Sequence, residues 1–272
     1  MRQWAEARIA NGQRIGLVPT MGYLHEGHLS LVALARRHAD VVVASIFVNP
    51  TQFGPQEDLA KYPRDLAGDV EKLTNAGVDV VFAPAASAIY PPGFDTYVVP
   101  ERLTRVLCGI TRPNHFRGVC TVVHLLFRIT RAHVAVFGEK DYQQLTILRR
   151  MVRDLWLDVD IISAPIVREP DGLAKSSRNV YLAPDERRDA VALSRALAAV
   201  RDAFAAGERE VANLLVEARR IFAKAEHARI DYVEIVDAEE LSPLARIERP
   251  AVCALAVFVG QTRLIDNCTL SP

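Results

Sequence analysis

Apolar positions in the first part of the chain follow two different periods. Residues 15–18 form a short apolar run closed by Pro19, which predicts a buried strand that ends there. After a polar loop at 20–27, apolar side chains recur at helical spacing up to a basic last turn at 36–38. Residues 41–48 are rich in β-branched side chains and predict the next strand. This order of elements predicts a βαβ unit with a right-handed crossover.

The alternation of helical and strand patterns continues to about residue 166. Helices are predicted at 65–75, 118–130 and 145–155, and strands at 78–82, 133–137 and 159–162. Such alternation is typical of a parallel sheet covered by helices on both faces. We therefore expect an α/β fold, a Rossmann-like doubly wound parallel sheet.

The pattern changes after this point. A loop at 169–179 leads into a long alanine-rich helix predicted at 185–206, a second helix at 211–225, and strands at 230–236, 252–258 and 263–267. Helices followed by strands favour a smaller C-terminal α+β domain. The expected division is residues 1–166 and residues 167–272.

Composition narrows the function classes. Lys plus Arg equals Asp plus Glu at 33 each, so no global field favours nucleic acid or an anionic membrane. The N-terminus lacks the apolar core of a signal peptide, and the apolar runs are of strand length. A soluble cytoplasmic protein is expected. No C-x-x-C pair occurs, so neither a zinc knuckle nor a redox pair is indicated by the four scattered cysteines, Cys108, Cys120, Cys253 and Cys268.

The first candidate site is His25-Glu26-Gly27-His28, where the first strand gives way to the helix. A helix N-terminus offers unpaired N–H groups that suit phosphate, and Gly27 permits close approach of a ligand. Two imidazoles here can donate to charge that builds on an α-phosphate. The alternative, two surface histidines at a helix cap, stays open for this motif taken alone. A metal site is not indicated, because no third ligand of suitable spacing and no H-E-x-x-H motif occur.

Three further segments follow predicted strands or lie in loops. Residues 138–141 (Gly-Glu-Lys-Asp) offer a lysine for phosphate and an aspartate for ribose or metal. Residues 175–178 (Lys-Ser-Ser-Arg) can form an anion clamp, and repulsion between its two cations should keep the empty loop mobile. Residues 49–54 (Asn-Pro-Thr-Gln-Phe-Gly) contain Gln52, whose amide can recognise a hydroxyl-bearing acid. Each alone is typical of an ordinary turn, but together they describe ATP bound at a doubly wound sheet.

Six ordered segments resemble the pantothenate synthetase family, and they cover nearly the whole chain. They are PTMGYLHEGH from Pro19, NPTQFG from Asn49, HFRGV from His115, FGEKDYQQL from Phe137, DGLAKSSRN from Asp171 and RLIDN from Arg263. H-x-G-H also resembles the signature of the wider nucleotidyltransferase superfamily. The resemblance implies an ATP-dependent ligase in which (R)-pantoate and ATP, with Mg²⁺, give a pantoyl-adenylate and pyrophosphate. β-Alanine then releases AMP and forms pantothenate.

The resemblance also implies roles for individual residues. The catalytic set is His28, His25, Lys140 and Arg178. Pantoate is assigned to Gln52 and Gln144, with Gln52 also reaching β-alanine, and Asp69 is a candidate Mg²⁺ ligand. ATP is assigned to Met21, Gly22, Tyr23, Leu24, His25, Glu26, Gly27, His28, Gly138, Glu139, Lys140, Asp141, Val167, Lys175, Ser176, Ser177 and Arg178.

The resemblance implies a domain arrangement and partners as well. Residues 1–166 would bind ATP and pantoate, and residues 167–272 would cover the active site. No tightly bound organic cofactor, nucleic acid or membrane is expected, and the chain is expected to be a homodimer. Two departures from the family pattern are Lys175, where Leu or Met is frequent, and the short segment before Met21, which predicts a shortened or missing first strand.

Two rival functions remain open on the residues alone. A nucleotidyltransferase acting on a phosphorylated substrate would use the same H-x-G-H turn, but its product would keep the nucleotide. A non-catalytic adenine-nucleotide binding protein would bind ATP without releasing pyrophosphate. The presence of His25, His28, Lys140 and Arg178 together argues against simple binding.

Overall fold

The structure is a computed structural model that describes residues 1–55 and 57–272. These residues divide into two compact units. The larger unit consists of Met1–Arg105, Gly109–Glu139 and Gln144–Pro165, and the smaller of Val106–Cys108, Lys140–Gln143 and Ile166–Pro272. In the part of the chain that the structure describes, every helix is too short or too polar to cross a bilayer.

The larger unit contains a five-stranded parallel sheet, which confirms the predicted α/β class. Its strands are β1 (Ile15–Thr20), β2 (Val41–Ile46), β3 (Val80–Phe82), β4 (Val134–Gly138) and β5 (Asp160–Ala164), in the order β3-β2-β1-β4-β5. Its helices are α1 (Arg2–Ala10), α2 (Glu26–Ala35), α3 (Leu66–Asn75), α4 (Ala86–Ile89) and α6 (His115–Thr130). Two more helices, α5 (Cys108–Thr111) and α7 (Tyr142–Asp154), have residues in both units.

The structure shows that two predictions about the first strand, its shortening and its end at Pro19, are wrong. β1 has six residues and lies at the centre of the sheet, so it is neither shortened nor at an edge. Pro19 does not end the strand, because it pairs with Ser45 of β2. The pairing of β1 with β4 covers only Gly16 and Leu17. A residue without an N–H group is tolerated at Pro19 because the ladder on the β4 side has already ended.

The sequence pattern failed to predict α4, α5 and the longer helix α1. Ala5 is its one buried residue, so the helix has no apolar stripe from which it could be recognised. By contrast, α6 has a strongly apolar face and begins at His115, three residues earlier than predicted. Helix α3 begins where Asp65 accepts the backbone N–H of Gly68 at 3.0 Å, and its chain reverses at Gly77 with φ of 76°.

The smaller unit has an antiparallel sheet in the order β6-β7-β8 and three helices, as expected for an α+β unit. Its elements are α8 (Pro184–Ala190), α9 (Ala192–Ala205), α10 (Val211–Phe222), β6 (Ala228–Asp237), β7 (Ala251–Val259) and β8 (Thr262–Leu270). The helix predicted at 185–206 is therefore two helices that meet at Val191. The backbone of Val191 stays in the right-handed helical region, so the hydrophobic pattern does not reveal the break.

Candidate active site at the carboxyl edge of the parallel sheet

The turn between β1 and α2 has a tightly specified backbone. Gly22 and Tyr23 both have left-handed conformations, with φ of 83° and 53°. A Cβ atom at Gly22 would lie 2.9 Å from Asp69 Oδ2 and 3.1 Å from an Ile46 methyl group. Glycine is therefore required at position 22 both by conformation and by space. Thr20 begins the turn, with Oγ1 accepting the Gly22 N–H at 3.2 Å.

Asp69 on α3 fixes the backbone of this turn by hydrogen bonds. Its two carboxylate oxygens accept the backbone N–H groups of Tyr23 and Leu24, both at 2.7 Å, and the residue is 1% exposed. Lys72, one helical turn later, donates to the Leu24 carbonyl at 3.0 Å. Hydrogen bonds from N–H groups to a carboxylate are stronger than bonds between neutral groups. The turn is thus fixed to α3 by three bonds directed at its backbone.

Asp69 as a magnesium ligand stays a prediction. Each of its oxygens accepts one N–H group of the turn and keeps a further lone pair. Among residues 1–55 and 57–272, no group of three or more His, Cys, Asp and Glu side chains is arranged to hold a metal ion. The physical role that the structure gives Asp69 is to position the turn that precedes α2.

His25 and His28 cap the N-terminus of α2 reciprocally. His25 Nδ1 accepts the Gly27 N–H at 3.1 Å, and His28 Nδ1 accepts the His25 N–H at 3.2 Å. The two rings lie against each other, with centroids 4.1 Å apart. A ring nitrogen that accepts a hydrogen bond carries no proton, so each neutral imidazole carries its proton on Nε2. The cap therefore fixes both tautomers and makes each histidine an Nε2–H donor at a helix N-terminus.

A second turn follows β2 and is organised by Asn49, which is 1% exposed. Asn49 Oδ1 accepts from the Tyr90 hydroxyl at 2.8 Å and from the Thr51 hydroxyl at 3.0 Å. Its Nδ2 donates to Gln52 Oε1 at 3.0 Å and to the Gly118 carbonyl at 3.1 Å. Because Asn49 occupies the Gln52 oxygen, the Gln52 amide NH₂ is oriented away from it, and Nε2 lies 3.1 Å from Met21 Sδ.

The backbone of Gln52 is also fixed. Its carbonyl lies 3.0 Å from His115 Nδ1 and accepts from Arg112 Nη2 at 3.3 Å. Arg112 forms an ion pair with Glu57 at 2.6 Å. Burial alone would raise the pKa of Glu57, but the hydrogen bonds and charge of Arg112 outweigh it and hold the pKa below its ordinary value. Burial raises the pKa of Tyr90, so its phenol stays protonated as the donor to Asn49.

Helix α6 approaches this second turn very closely at Gly118. A Cβ atom there would lie 2.5 Å from the Thr51 carbonyl oxygen and 2.6 Å from the Gln52 nitrogen. These neighbours are backbone atoms and cannot rotate away. Glycine at 118 is therefore a requirement of the close contact between α6 and the turn that carries Gln52.

A cavity of about 300 Å³ opens at the carboxyl ends of β1, β2 and β3. This is the edge at which open parallel sheets bind ligands. Its lining comprises Met21, Gly22, Ile46, Phe47, Val48, Arg64, Asp65, Leu66, Asp69, Ala83, Pro84 and Ala86. Two of the residues assigned to ATP, Met21 and Gly22, thus line a cavity of ligand size.

The segment after β4 passes from one unit into the other. Gly138 ends β4, and Glu139 begins a short 3₁₀ helix, Glu139–Asp141. Lys140 belongs to the smaller unit, where its carbonyl accepts from Asn267 Nδ2 at 2.9 Å and its ammonium lies 3.8 Å from Asp141. Gln144 lies half-buried in the first turn of α7.

The loop that carries Lys175 to Arg178 belongs to the smaller unit and is more firmly held than its charges suggest. The Lys175 ammonium lies 3.3 Å from Glu169, and the Lys175 N–H donates to the Val167 carbonyl at 2.9 Å. Ser176 Oγ accepts the Arg178 N–H at 3.2 Å, and Ser177 is 7% exposed. Glu169 thus balances the charge of Lys175, and the mobility of the empty loop stays a prediction.

Within the larger unit, the structure thus brings Met21 against Gln52 and His25 against His28. Lys140, Asp141, Val167 and residues 175–178 lie in the smaller unit. The residues that support the site and were not predicted are Asn49, Tyr90, Arg112 and Gly118. Asn49 was recognisable in principle, because an Asn before a Pro directly after a strand is a common turn start. The others come from distant segments and left no local pattern.

Comparison with known proteins points to one family. The family described as pantoate-beta-alanine ligase matches residues 1–269. The pantothenate synthetase of Geobacter sulfurreducens is 55% identical over 260 residues, covering 96% of this chain and 92% of the relative. That of Anaeromyxobacter dehalogenans is 58% identical over 263 residues, covering 94% and 91%.

Solved structures agree with the sequence relatives. Pantothenate synthetase from Thermus thermophilus superposes with a TM-score of 0.94 at 49% identity, covering 98% of both chains. Pantoate-beta-alanine ligase from Francisella tularensis, solved with β-γ ATP and β-alanine, superposes with a TM-score of 0.79 at 34% identity. The superposition covers 98% of this chain and 94% of the Francisella chain.

Proposed function

This chain belongs to the pantoate-beta-alanine ligase family, and we propose that it joins its substrates through a pantoyl-adenylate. It is an enzyme that ligates pantoate and β-alanine to pantothenate, with ATP as a substrate. The intermediate, the products AMP and pyrophosphate, and the roles of single residues are our proposal. In the first step a pantoate carboxylate oxygen attacks the α-phosphorus and pyrophosphate leaves. In the second, the β-alanine amine attacks the acyl carbon, AMP leaves, and the amine proton passes to solvent.

The observation that carries this proposal is the reciprocal cap formed by His25 and His28. Both Nδ1 atoms accept backbone N–H groups, so each ring carries its proton on Nε2. Each histidine is therefore an Nε2–H donor even in its neutral form. Donors fixed before the reaction cost no reorganisation when negative charge builds on a phosphate. The positive end of α2 acts in the same direction. Such a turn suits in-line displacement at phosphorus, which requires positioning rather than a protein nucleophile.

We propose that Gln52 binds pantoate. Its oxygen is occupied by Asn49, so its NH₂ group is left as the hydrogen-bonding face of the amide. An amide donor suits the hydroxyl and carboxylate oxygens of pantoate. Gln144, half-buried on α7, is proposed to bind pantoate on the basis of the resemblance.

The remaining nucleotide contacts rest on the family resemblance. They include Gly138 to Asp141, Val167 and Lys175 to Arg178, with Lys140 and Arg178 stabilising phosphate charge. The covering role of residues 167–272 is a proposal of the same kind. Asp69 stays a candidate Mg²⁺ ligand, because it lines the cavity and each of its oxygens keeps a lone pair. We propose that any Mg²⁺ enters with the phosphates of ATP, and we assign no step to it.

The proposal is tested by following pyrophosphate and AMP separately. With ATP and pantoate carrying ¹⁸O in its carboxylate, pyrophosphate should appear without β-alanine. Adding β-alanine should then release AMP that contains one ¹⁸O atom. A product that retains the nucleotide would instead identify a nucleotidyltransferase. Binding of ATP without pyrophosphate release from pantoate would identify a non-catalytic nucleotide-binding protein.

A homodimeric state and a cytoplasmic location are also proposed from the resemblance. Sedimentation of the purified chain at several concentrations tests the first. A mass equal to one chain at all concentrations would contradict it. Fractionation of the source cells tests the second, with enrichment in the membrane or secreted fraction as the contrary result.

A further inference from the structure

Two cysteines face each other across strands β7 and β8. Cys253 and Cys268 are directly opposed in the antiparallel register. Directly opposed residues have Cα atoms about 4.5 or 5.5 Å apart, depending on the hydrogen-bonding position. Both distances lie within the range of roughly 4.4–6.8 Å that disulfides span. Their side chains also point to the same face of the sheet, because opposed residues always do.

The two thiols stand on one face of the sheet and differ in exposure. Cys253 is 0% exposed in the core of the smaller unit. Cys268 is half-buried, and its thiol donates to the Leu197 carbonyl at 3.9 Å. A dissolved oxidant therefore meets Cys268 first. Cys253 is already placed to attack whatever adduct forms there.

We propose that Cys253 and Cys268 form a cross-strand disulfide when the folded chain meets a small disulfide oxidant. Cys268 thiolate attacks the oxidant RSSR, giving Cys268–S–SR and one RS⁻. Cys253 thiolate then attacks the Cys268 sulfur, forming the protein S–S bond and releasing the second RS⁻. Two cysteine thiols are oxidised and one disulfide is reduced to two thiols, which take up the two cysteine protons by way of solvent. This modification site is independent of the proposed ligase function.

The neighbourhood of Cys268 gives the bond a structural consequence. Asp266, two residues earlier on the same strand, pairs with Arg168 through bonds of 2.7 and 3.0 Å. Arg168 also donates to the Gly172 carbonyl at 3.0 Å and pairs with Ala174, directly before the Lys175 loop. A disulfide between Cys253 and Cys268 would therefore link β7 covalently to β8. Asp266 on β8 holds Arg168, which forms the bridge with Ala174.

The second step should be slow. The hydrogen bond to Cys268 and burial both raise the pKa of Cys253, so little thiolate is present near neutral pH. Disulfide formation ranges from seconds to hours, and this pair should lie at the slow end. The rate should rise with pH, because the thiolate is the attacking species.

The test uses the full chain, reduced and then incubated in its folded state with glutathione disulfide. Remaining thiols are blocked with an alkylating reagent, and the chain is digested without reduction and analysed by mass spectrometry. The expected result is a linked peptide pair containing Cys253 and Cys268, with Cys108 and Cys120 alkylated. Oxidation should also raise the Tm, and a reductant should reverse the rise.

Single variants separate the steps. Cys253→Ala should stop at a glutathione adduct on Cys268, and Cys268→Ser should give neither adduct nor linked peptide. Cys120→Ala, which removes a buried thiol of the larger unit, should leave the linked pair unchanged. Wild-type chain that retains the adduct on Cys268 with Cys253 alkylated would overturn the proposal. So would four alkylated cysteines, or a linked pair that includes Cys108 or Cys120.

Discussion

The turn at residues 20–28 and the loop at residues 167–178 are both assigned to ATP, yet they are held in opposite ways. The turn is fixed by bonds to its backbone, from the buried Asp69 carboxylate and from two histidines that cap each other. The loop has backbone bonds too, such as Lys175 N–H to the Val167 carbonyl, but its charged side chains are paired where they are partly exposed, as Lys175 is with Glu169. The turn is therefore organised before any ligand arrives, whereas the loop depends on a balance of charges that a phosphate can change.

This difference predicts different responses to solution conditions. Buried hydrogen bonds are little affected by salt, whereas partly exposed ion pairs are screened over about 8–10 Å at moderate ionic strength. Variants of the turn should therefore lose activity at every salt concentration. Variants of the loop should show effects that shrink as salt is added.

The largest effect is expected from His28→Ala. It removes a fixed Nε2–H donor, and loss of one such donor typically costs about 10²–10³ in rate. His28→Glu is the matched variant, because glutamate at this helix position can still accept the His25 N–H but has no N–H donor of its own. Both variants should lose pyrophosphate release, but His28→Glu should keep the wild-type Tm. Normal pyrophosphate release by either variant would leave only a capping role for His28. His38→Ala, which changes an exposed histidine after α2, is the control and should have no effect on pyrophosphate release.

Asp69→Asn should give the next largest effect. The amide can accept one of the two turn N–H groups but presents its own NH₂ to the other, at a cost of about 1–3 kcal/mol. Displacement of the turn by even 1 Å can cost up to about 10² in rate. Glu71→Gln on the same helix, at an exposed position outside the cavity lining, is the control. Raising Mg²⁺ should not restore Asp69→Asn; full recovery at high Mg²⁺ would show that the carboxylate binds the metal after all.

Gly118→Ala extends the comparison to the turn that carries Gln52. Alanine normally stabilises a helix relative to glycine by about 1 kcal/mol. Here the methyl group would meet backbone atoms at 2.5 and 2.6 Å, so we expect destabilisation of roughly 1–3 kcal/mol instead. The KM for pantoate should rise about tenfold while the KM for ATP changes little, a shift of roughly 1.4 kcal/mol. A more stable variant with unchanged KM values would show that α6 does not constrain this turn.

Glu169→Gln should have the smallest effect. It leaves the Lys175 charge unbalanced, and partly exposed pairs contribute only about 0–1 kcal/mol. We expect a change in the KM for ATP of at most about fivefold, which should disappear at high salt. Glu217→Gln, which breaks an exposed pair on α10, serves as the control. A loss as large and as independent of salt as that of His28→Ala would remove the distinction between turn and loop.

Much of the fold was predictable because burial leaves a pattern. Strands β2 and β4 are buried on both faces, so they appear as continuous apolar runs, and their alternation with helices predicted a parallel sheet. Helix α1 was not predicted because only Ala5 is buried. Pro19 was taken as a strand end because the sequence does not show on which side the pairing with β4 stops.

The candidate site was predictable in its motifs but not in its supports. His25 and His28 stand next to a recognisable helix start, and Gln52 follows a recognisable strand. Asp69 was named only as a candidate metal ligand, and no local pattern showed that its oxygens accept two backbone N–H groups of the turn. Tyr90 reaches Gln52 through Asn49, and Gly118 lies against the backbone of the same turn from a distant helix, so neither was recognisable from local sequence.

The contacts that complete both turns also bear on the order in which the protein folds. Asp69 lies 45 and 46 residues along the chain from its two partners, and Gly118 lies 69 residues from Asn49. Contacts between residues so far apart form late, because the intervening chain must first lose its conformational entropy. A nascent chain that has formed β1, α2 and β2 therefore still lacks a shaped turn. The ability to act on ATP should emerge only once α3 has docked, and recognition of the acid only after α6 has.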